Sequence, residues 1–245
     1  MPDSLECSPA RAVHSSYEFK PVPFSSHTLL LDILPAAGAG RRVLDLGCAH
    51  GYLGEALAAR GYTVVGVEKP GLAGDRFPES VELVEADLDQ GIPALGRFDY
   101  VLCADILEHL QDPSALLRGI RPLLSAGGKL LASLPNSGHA YFRLNVLMGR
   151  FPQHDRGLFD RTHLHFYTWA GWVDLFTSNG YRIERVIPSA TPFSLALPQW
   201  AGTPAVRLLD RIAHLFARFW KEMFAYQFVV SAQAGESDPC PPNRK

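Results

Sequence analysis

Three acidic residues and one cluster of histidines carry most of the chemical information in this chain. Asp45 in "VLDLG", Glu68 in "VVGVE" and Asp87 in "VEAD" each close a short apolar run. A carboxylate at such a strand tip can accept both hydroxyls of a ribose, and Glu68, placed after the second run, has that position. Asp87 could accept from an exocyclic amino group such as that of adenine. Between Asp45 and Glu68 the segment "GCAHGYLG" places glycines at 47, 51 and 54, and such a turn can present backbone N–H groups to a ligand at a helix N-terminus. A dinucleotide fingerprint would have to begin at Ala49, as Ala49-x-Gly51-x-x-Gly54, with its first glycine missing.

A second set of reactive side chains lies in 137–180, where aromatics and histidines interrupt the pattern: His139, His154, Asp155, Asp160, His163 and His165. Any of them could remove a proton from a hydroxyl nucleophile. His163, in "RTH", is the favoured base, because the chain there can fold over the strand tips. His163 and His165 with Asp155 and Asp160 make a thin ligand set, so no metal is expected. His109, directly before Asp112-Pro113, reads as a loop anchor.

These residues need elements to hold them. Short, nearly continuous apolar runs alternate with helical stretches from Arg41 onward, the pattern of βα units in a parallel sheet covered on both faces. The expected strands are 41–47, 63–68, 80–86, 98–104 and 127–134, then "YRIERVIPS" and a late "FAYQFVVSA". Helices are expected over 52–60, 113–125 and 168–179, the last closed by Gly180. "KPGLAGDRFPE" leaves room only for a short, irregular crossover. Ser25-Ser26 stands as an N-cap before an apolar helix in the N-terminal flank or lid, 1–40. The main domain covers 41–234, with cap insertions at 137–166 and 190–223, and 235–245 reads as a disordered tail. In the second insertion, apolar residues recur at helical spacing from Val206 to Met223 beside Arg207, Arg211, Arg218 and Lys221. A cap packed on the sheet is preferred there over a peripheral contact with a membrane.

Composition narrows the function further. Twenty-three basic against 25 acidic residues, a net charge of -2, give no broad footprint for nucleic acid. Cys7, Cys48, Cys103 and Cys240 have no framework spacing, which fits a reducing cytoplasm. No window approaches the apolar length of a membrane span.

The ordered series "VLDLGCAHG", "VVGVE", "EADLDQGIP", "FDYVLCADILEHLQDP" and "GGKLLASLPN" resembles the motifs of class I S-adenosylmethionine-dependent methyltransferases over about 41–189. The resemblance implies an α/β, Rossmann-like sheet of seven strands, mostly parallel, with an antiparallel last strand, helices on both faces and a small helical cap. It implies S-adenosyl-L-methionine as cofactor. Asp45, Gly47, Cys48 and the turn to Gly51 would approach its methionine moiety, Glu68 its ribose, and Asp87 with the backbone of Leu88 its adenine. Ala104 and Asp105 would lie beside the amino acid end and the methyl group, with Asp105 and His163 as the catalytic pair. "LPNSGHAYFRLNVLMGRF" and "DRTHLHFYT" are similar to a bacterial branch akin to ubiquinone-biosynthesis and methionine-biosynthesis-associated methyltransferases, some members of which act in cell-surface glycan and natural-product pathways. The expected reaction is therefore O-methylation of a small molecule: a sugar, a glycan precursor or a natural-product hydroxyl. The alternatives are N-methylation by the same fold, an NAD-dependent oxidoreductase, and a binding module without turnover.

Overall fold

The computed structural model describes residues 22–74, 76–191 and 193–235; the expectations for 1–21 and 236–245 lie outside them. The seven strands are β1 (Arg42–Leu46), β2 (Thr63–Glu68), β3 (Val81–Glu85), β4 (Phe98–Ala104), β5 (Leu124–Pro135), β6 (Tyr181–Ser189) and β7 (Gln227–Ala234). They form one sheet in the order β3-β2-β1-β4-β5-β7-β6. All pairings are parallel except those of β7, which runs antiparallel to both β5 and β6. This is the expected Rossmann-like α/β sheet. Its order reverses between β1 and β4, and a crevice at the carboxyl ends of these strands is where such sheets bind ligands.

The helices are α1 (Ser26–Ile33), α2 (Tyr52–Ala58), α3 (Pro113–Ile120), α4 (Ala140–Leu147), α5 (Trp169–Ser178), α6 (Phe193–Ala196), α7 (Pro204–Phe219) and α8 (Lys221–Phe224). Side chains of Ser25, Asp112, Thr168 and Thr203 accept from backbone N–H groups in the first turns of α1, α3, α5 and α7. The helix expected over 113–125 is shorter. Pro122 has no N–H to continue it, so α3 ends at Ile120 and a single 3₁₀ turn, Arg121–Leu123, leads into a strand that starts earlier than expected, at Leu124.

Both faces of the sheet are covered, which is why the strands read as continuous apolar runs. Leu30 of α1 and Leu57 of α2 pack with Val43, Val64, Leu102 and Leu131 on one face. On the other, Leu116 and Leu117 of α3 and Trp172 and Phe176 of α5 pack with Leu44, Leu46, Cys103 and Leu130. The Trp172 indole Nε1–H also donates to the carbonyl of Pro135 at 2.8 Å, tying α5 to the end of β5.

The cap helix α7 packs on the sheet along one narrow side only. Only Val206, Asp210 and Ala217 are buried along it. Leu208, Leu209, Ile212, Leu215, Phe216 and Phe219 are exposed. The reason lies in Asp210, whose two oxygens accept from the Phe193 N–H at 3.0 Å and the Ser194 hydroxyl at 2.6 Å. That polar anchor turns the apolar stripe outward.

Candidate active site

The turn after β1 alternates left-handed residues: Gly47 (φ 73°), Ala49 (φ 47°) and Gly51 (φ 74°). The N–H groups of Gly47 and Cys48 both donate to Val67 O, at 2.9 and 3.2 Å, so the turn leans on β2. A Cβ at Gly51 would come within 2.8 Å of Pro78 Cδ and 2.9 Å of Phe77 Cε2, a closeness only glycine permits. Ala49 accepts a conformation that costs an ordinary residue roughly 1–2 kcal/mol. Its N–H is held in place by Glu68 Oε2 at 2.7 Å. The Cys48 side chain fills the space above Gly66 in β2, and burial followed by the charge of Asp45 pushes its thiol pKa up. It is a packing thiol rather than a nucleophile.

Adjacent strands carry the three acids to one edge. Asp45 is 1% exposed. Neither of its carboxylate oxygens has a hydrogen-bond partner among the described residues. Burial, and then the charge of Glu68, raises its pKa to about 7. Glu68 Oε1 accepts from the Lys69 N–H at 2.8 Å. Asp87 is committed on both oxygens, to Lys69 Nζ at 2.9 Å and to the Asp89 N–H at 3.1 Å. The hydrogen bond from Lys69 holds its carboxyl below the usual range. Leu88 follows, buried, in a 3₁₀ turn whose other residues, Asp89 and Gln90, are exposed.

At the end of β4, Ala104 is followed by Asp105 with φ 53°. Asp105 Oδ1 accepts from Ser133 Oγ at 2.6 Å and Gln227 Nε2 at 2.8 Å, which joins the ends of β4, β5 and β7. Three residues on, Glu108 is 1% exposed. Its backbone carbonyl accepts from the N–H groups of Leu164 at 2.9 Å and His165 at 3.2 Å. This docking brings His163 Nε2 to 3.8 Å from Glu108 Oε1, with the His163 side chain 6% exposed. The His109 ring meets His163 edge-on at 4.8 Å, and its Nδ1 lies 3.2 Å from Thr162 O. Burial and then the charge of His109 push the His163 pKa down to about 4, against weaker upward pulls from Asp160 and Asp105.

The remaining candidates disperse. His139 caps α4 by accepting from the Tyr141 N–H at 3.1 Å, and burial lowers its pKa to about 4. His165 Nε2 bonds to Leu110 O at 3.0 Å. Asp155 pairs with Arg161 at the surface, His154 is exposed, and Asp160 is buried accepting from Thr162 N and Oγ1. The ligand set considered from the sequence is thus not assembled. A different one is: Glu108, His109 and His163 each offer a ligand atom within 4.8 Å of the others. Sequence reasoning passed over Glu108, which directly precedes His109 in "ADILEH".

A family model described as "Methyltransferase domain" matches residues 24–186. The ubiquinone biosynthesis O-methyltransferase of Azotobacter vinelandii is 35% identical over 117 residues, covering 44% of this chain and 50% of that protein. The Pseudomonas aeruginosa protein of the same name is 35% identical over 128 residues, covering 49% and 55%. The chain therefore spans about half the length of the curated relatives it matches. Among solved structures, an S-adenosylmethionine-dependent methyltransferase from Mesorhizobium loti aligns with TM-score 0.56 at 20% identity, covering 85% of this chain and 97% of that one. Magnesium protoporphyrin IX methyltransferase from Synechocystis, solved with S-adenosylhomocysteine, aligns with TM-score 0.54 at 19% identity, covering 86% and 80%. Sheet order, glycine turn and family match agree: the chain belongs to the methyltransferase domain family, within the class I, S-adenosylmethionine-dependent fold.

Proposed function

We propose that this chain transfers a methyl group from S-adenosylmethionine to a hydroxyl of a small-molecule acceptor, with His163 taking the hydroxyl proton. The observation that carries the reading is the buried Glu108–His163 contact beside Asp105, at the carboxyl edge of β4. The names of the ubiquinone biosynthesis relatives support oxygen as the acceptor atom.

The residues present fit the cofactor. Asp45, two residues before the turn from Gly47 to Gly51, keeps two buried carboxylate oxygens with no hydrogen-bond partner among the described residues. In our reading Asp45, Gly47, Cys48 and Gly51 hold the methionine end, and Glu68 accepts from the ribose. The backbone around Leu88 faces adenine, with Asp87 engaged by Lys69, and Ala104 and Asp105 flank the reacting end. When bound, the cofactor supplies an electrophilic methyl carbon on a positively charged sulfur. Held in line with that carbon, the acceptor oxygen would bond to it as the carbon–sulfur bond breaks with its electron pair left on sulfur, and the hydroxyl proton would pass to His163 Nε2. The chain's part is chiefly positional, holding nucleophile and methyl collinear. His163, with its lowered pKa, is neutral near pH 7 and ready to accept, and Glu108 stabilises the imidazolium that forms.

A second reading rests on the same three side chains. Glu108, His109 and His163 could hold a divalent cation that binds the acceptor oxygen directly. Turnover of methyl-labelled S-adenosylmethionine against a panel of hydroxyl acceptors, before and after treatment with a chelator, tests both. Activity that survives chelation and is lost in His163→Ala supports the base; activity lost on chelation and restored by a divalent cation supports the metal. Labelling at nitrogen acceptors alone would refute oxygen as the target.

A further inference from the structure

The segment between β6 and β7 has a feature that methyl transfer does not use. α7 points its apolar stripe away from the protein, with Leu215 at 65% and Phe219 at 87% exposure. Ile212, Leu215, Phe216 and Phe219 line one shallow groove on it. Arg207, Arg211 and Arg218 follow at intervals of four and seven residues and so share one line along the helix, flanking that stripe. Its buried residues, Val206, Asp210 and Ala217, occupy the third side. Trp200 and Trp220, both exposed, stand at its two ends.

The charges are arranged to face outward. The carboxylate of Asp210 is bonded inward to Phe193 N and Ser194 Oγ, and Glu222 is paired with Lys221 Nζ at 2.7 Å. No carboxylate of α7 or α8 is left to answer the three arginines, on a chain whose net charge is -2. A second copy of the same surface would bring three more arginines and no acidic stripe to meet them. An anionic lipid surface supplies both what the leucines and phenylalanines need and what the arginines need, and tryptophans favour the same boundary.

The helix also stands at the right edge of the sheet. β6 ends at Ser189 and β7 begins at Gln227, register partners that lie beside Pro135 at the carboxyl end of β5. α4, which leaves that same edge, exposes Leu144 and Leu147, and Met148 just after it is exposed too. The Asn136 side chain joins the two segments, its Nδ2 donating to Ala225 O at 2.8 Å and Glu222 O at 3.2 Å.

We infer that α7 is a peripheral membrane anchor, laying Leu208, Ile212, Leu215 and Phe219 into the interface of an anionic bilayer with Arg207, Arg211 and Arg218 on its headgroups. The docking does not depend on the reaction proposed above and is read without it.

Flotation of the full chain with vesicles of phosphatidylglycerol and phosphatidylcholine in equal parts tests this, with vesicles of phosphatidylcholine alone alongside. Wild-type protein is expected to float with the anionic vesicles, far less with the neutral ones, and to be released by high salt. Leu215→Glu/Phe219→Glu should abolish flotation. Arg207→Gln/Arg211→Gln/Arg218→Gln should weaken it by about a hundredfold, each cation near an anionic surface being worth about fivefold. These side chains are exposed, and unchanged binding of S-adenosylhomocysteine by each variant shows that it is folded. Wild-type protein that stays in solution with anionic vesicles at low salt overturns the inference. So does a dimer, detected by light scattering, that Leu215→Glu/Phe219→Glu dissolves while lipid binding is unaffected, because the stripe would then cover a second copy.

Discussion

Glu108 holds a carboxylate oxygen 3.8 Å from Nε2 of His163, although the two residues belong to segments on opposite sides of β5 and α4. The contact exists because the Glu108 carbonyl captures the backbone N–H groups of Leu164 and His165. It turns the side chain of a loop histidine into a buried one.

His163→Ala should reduce kcat by about 10²–10⁴-fold, the range for a positioned acid–base group, while leaving the affinity for S-adenosylhomocysteine intact. Glu108→Gln should lower kcat less, since it leaves the imidazole in place. Steady-state kinetics with parallel calorimetry separate the two quantities.

The pKa of His163 is held near 4, so the acidic limb of kcat/KM should fall well below the ordinary histidine range. Between about pH 5 and 8 the residue stays neutral. A pH–rate profile whose acidic limb lies near 6.5 would assign the base to another group.

Asp45 gives the apo protein an unusual pH dependence. Its pKa rises from 3.8 to about 7 on folding, so the native state binds more protons than the unfolded chain across that window. Stability from this group is complete below about pH 4 and is lost as pH rises through 7. Denaturant midpoints should therefore decline between these values, and Asp45→Asn should flatten the decline while weakening cofactor binding.

At Ala49, φ 47° is a conformation glycine adopts without penalty. Ala49→Gly should stabilise the protein by up to about 1 kcal/mol, and Ala49→Val, β-branched in the same left-handed conformation, should destabilise it. Thermal unfolding of both variants reads the effect.

Trp172→Phe should destabilise by about 1–3 kcal/mol through the carbonyl of Pro135, which would be left buried without its donor. The change lies in the core between α5 and β5, so the unfolding temperature should fall without a change in KM.

The inner strands were legible in the sequence because both faces of the sheet are buried there, and continuous apolar runs with glycine and proline between them have few other readings; the half-exposed edge strands β3 and β6 showed instead as apolar residues mixed with charged ones. β6 matches its expected bounds, and Ser25 and Asp112 cap the helices their positions suggested. Asp45, Glu68 and Asp87 were legible for a related reason: a strand tip has one location, and neighbouring strands bring tips together. Contacts between irregular segments were not. Nothing local in "ADILEHL" or "DRTHLHF" tells that a carbonyl in one captures two N–H groups in the other, and Glu108 was missed for that reason. The outward turn of α7 was equally hidden, because helical spacing shows that a stripe exists but not which way a buried aspartate will aim it.

Calorimetric titration of wild-type protein and Glu68→Ala with S-adenosylhomocysteine and with NAD tests the cofactor assignment most directly. Wild type should bind S-adenosylhomocysteine and give no heat with NAD. Glu68→Ala should bind about tenfold more weakly or worse, because a charged hydrogen bond to the ribose is worth roughly 1.5–3 kcal/mol. Binding of NAD without S-adenosylhomocysteine, or an affinity that Glu68→Ala leaves unchanged, would contradict it.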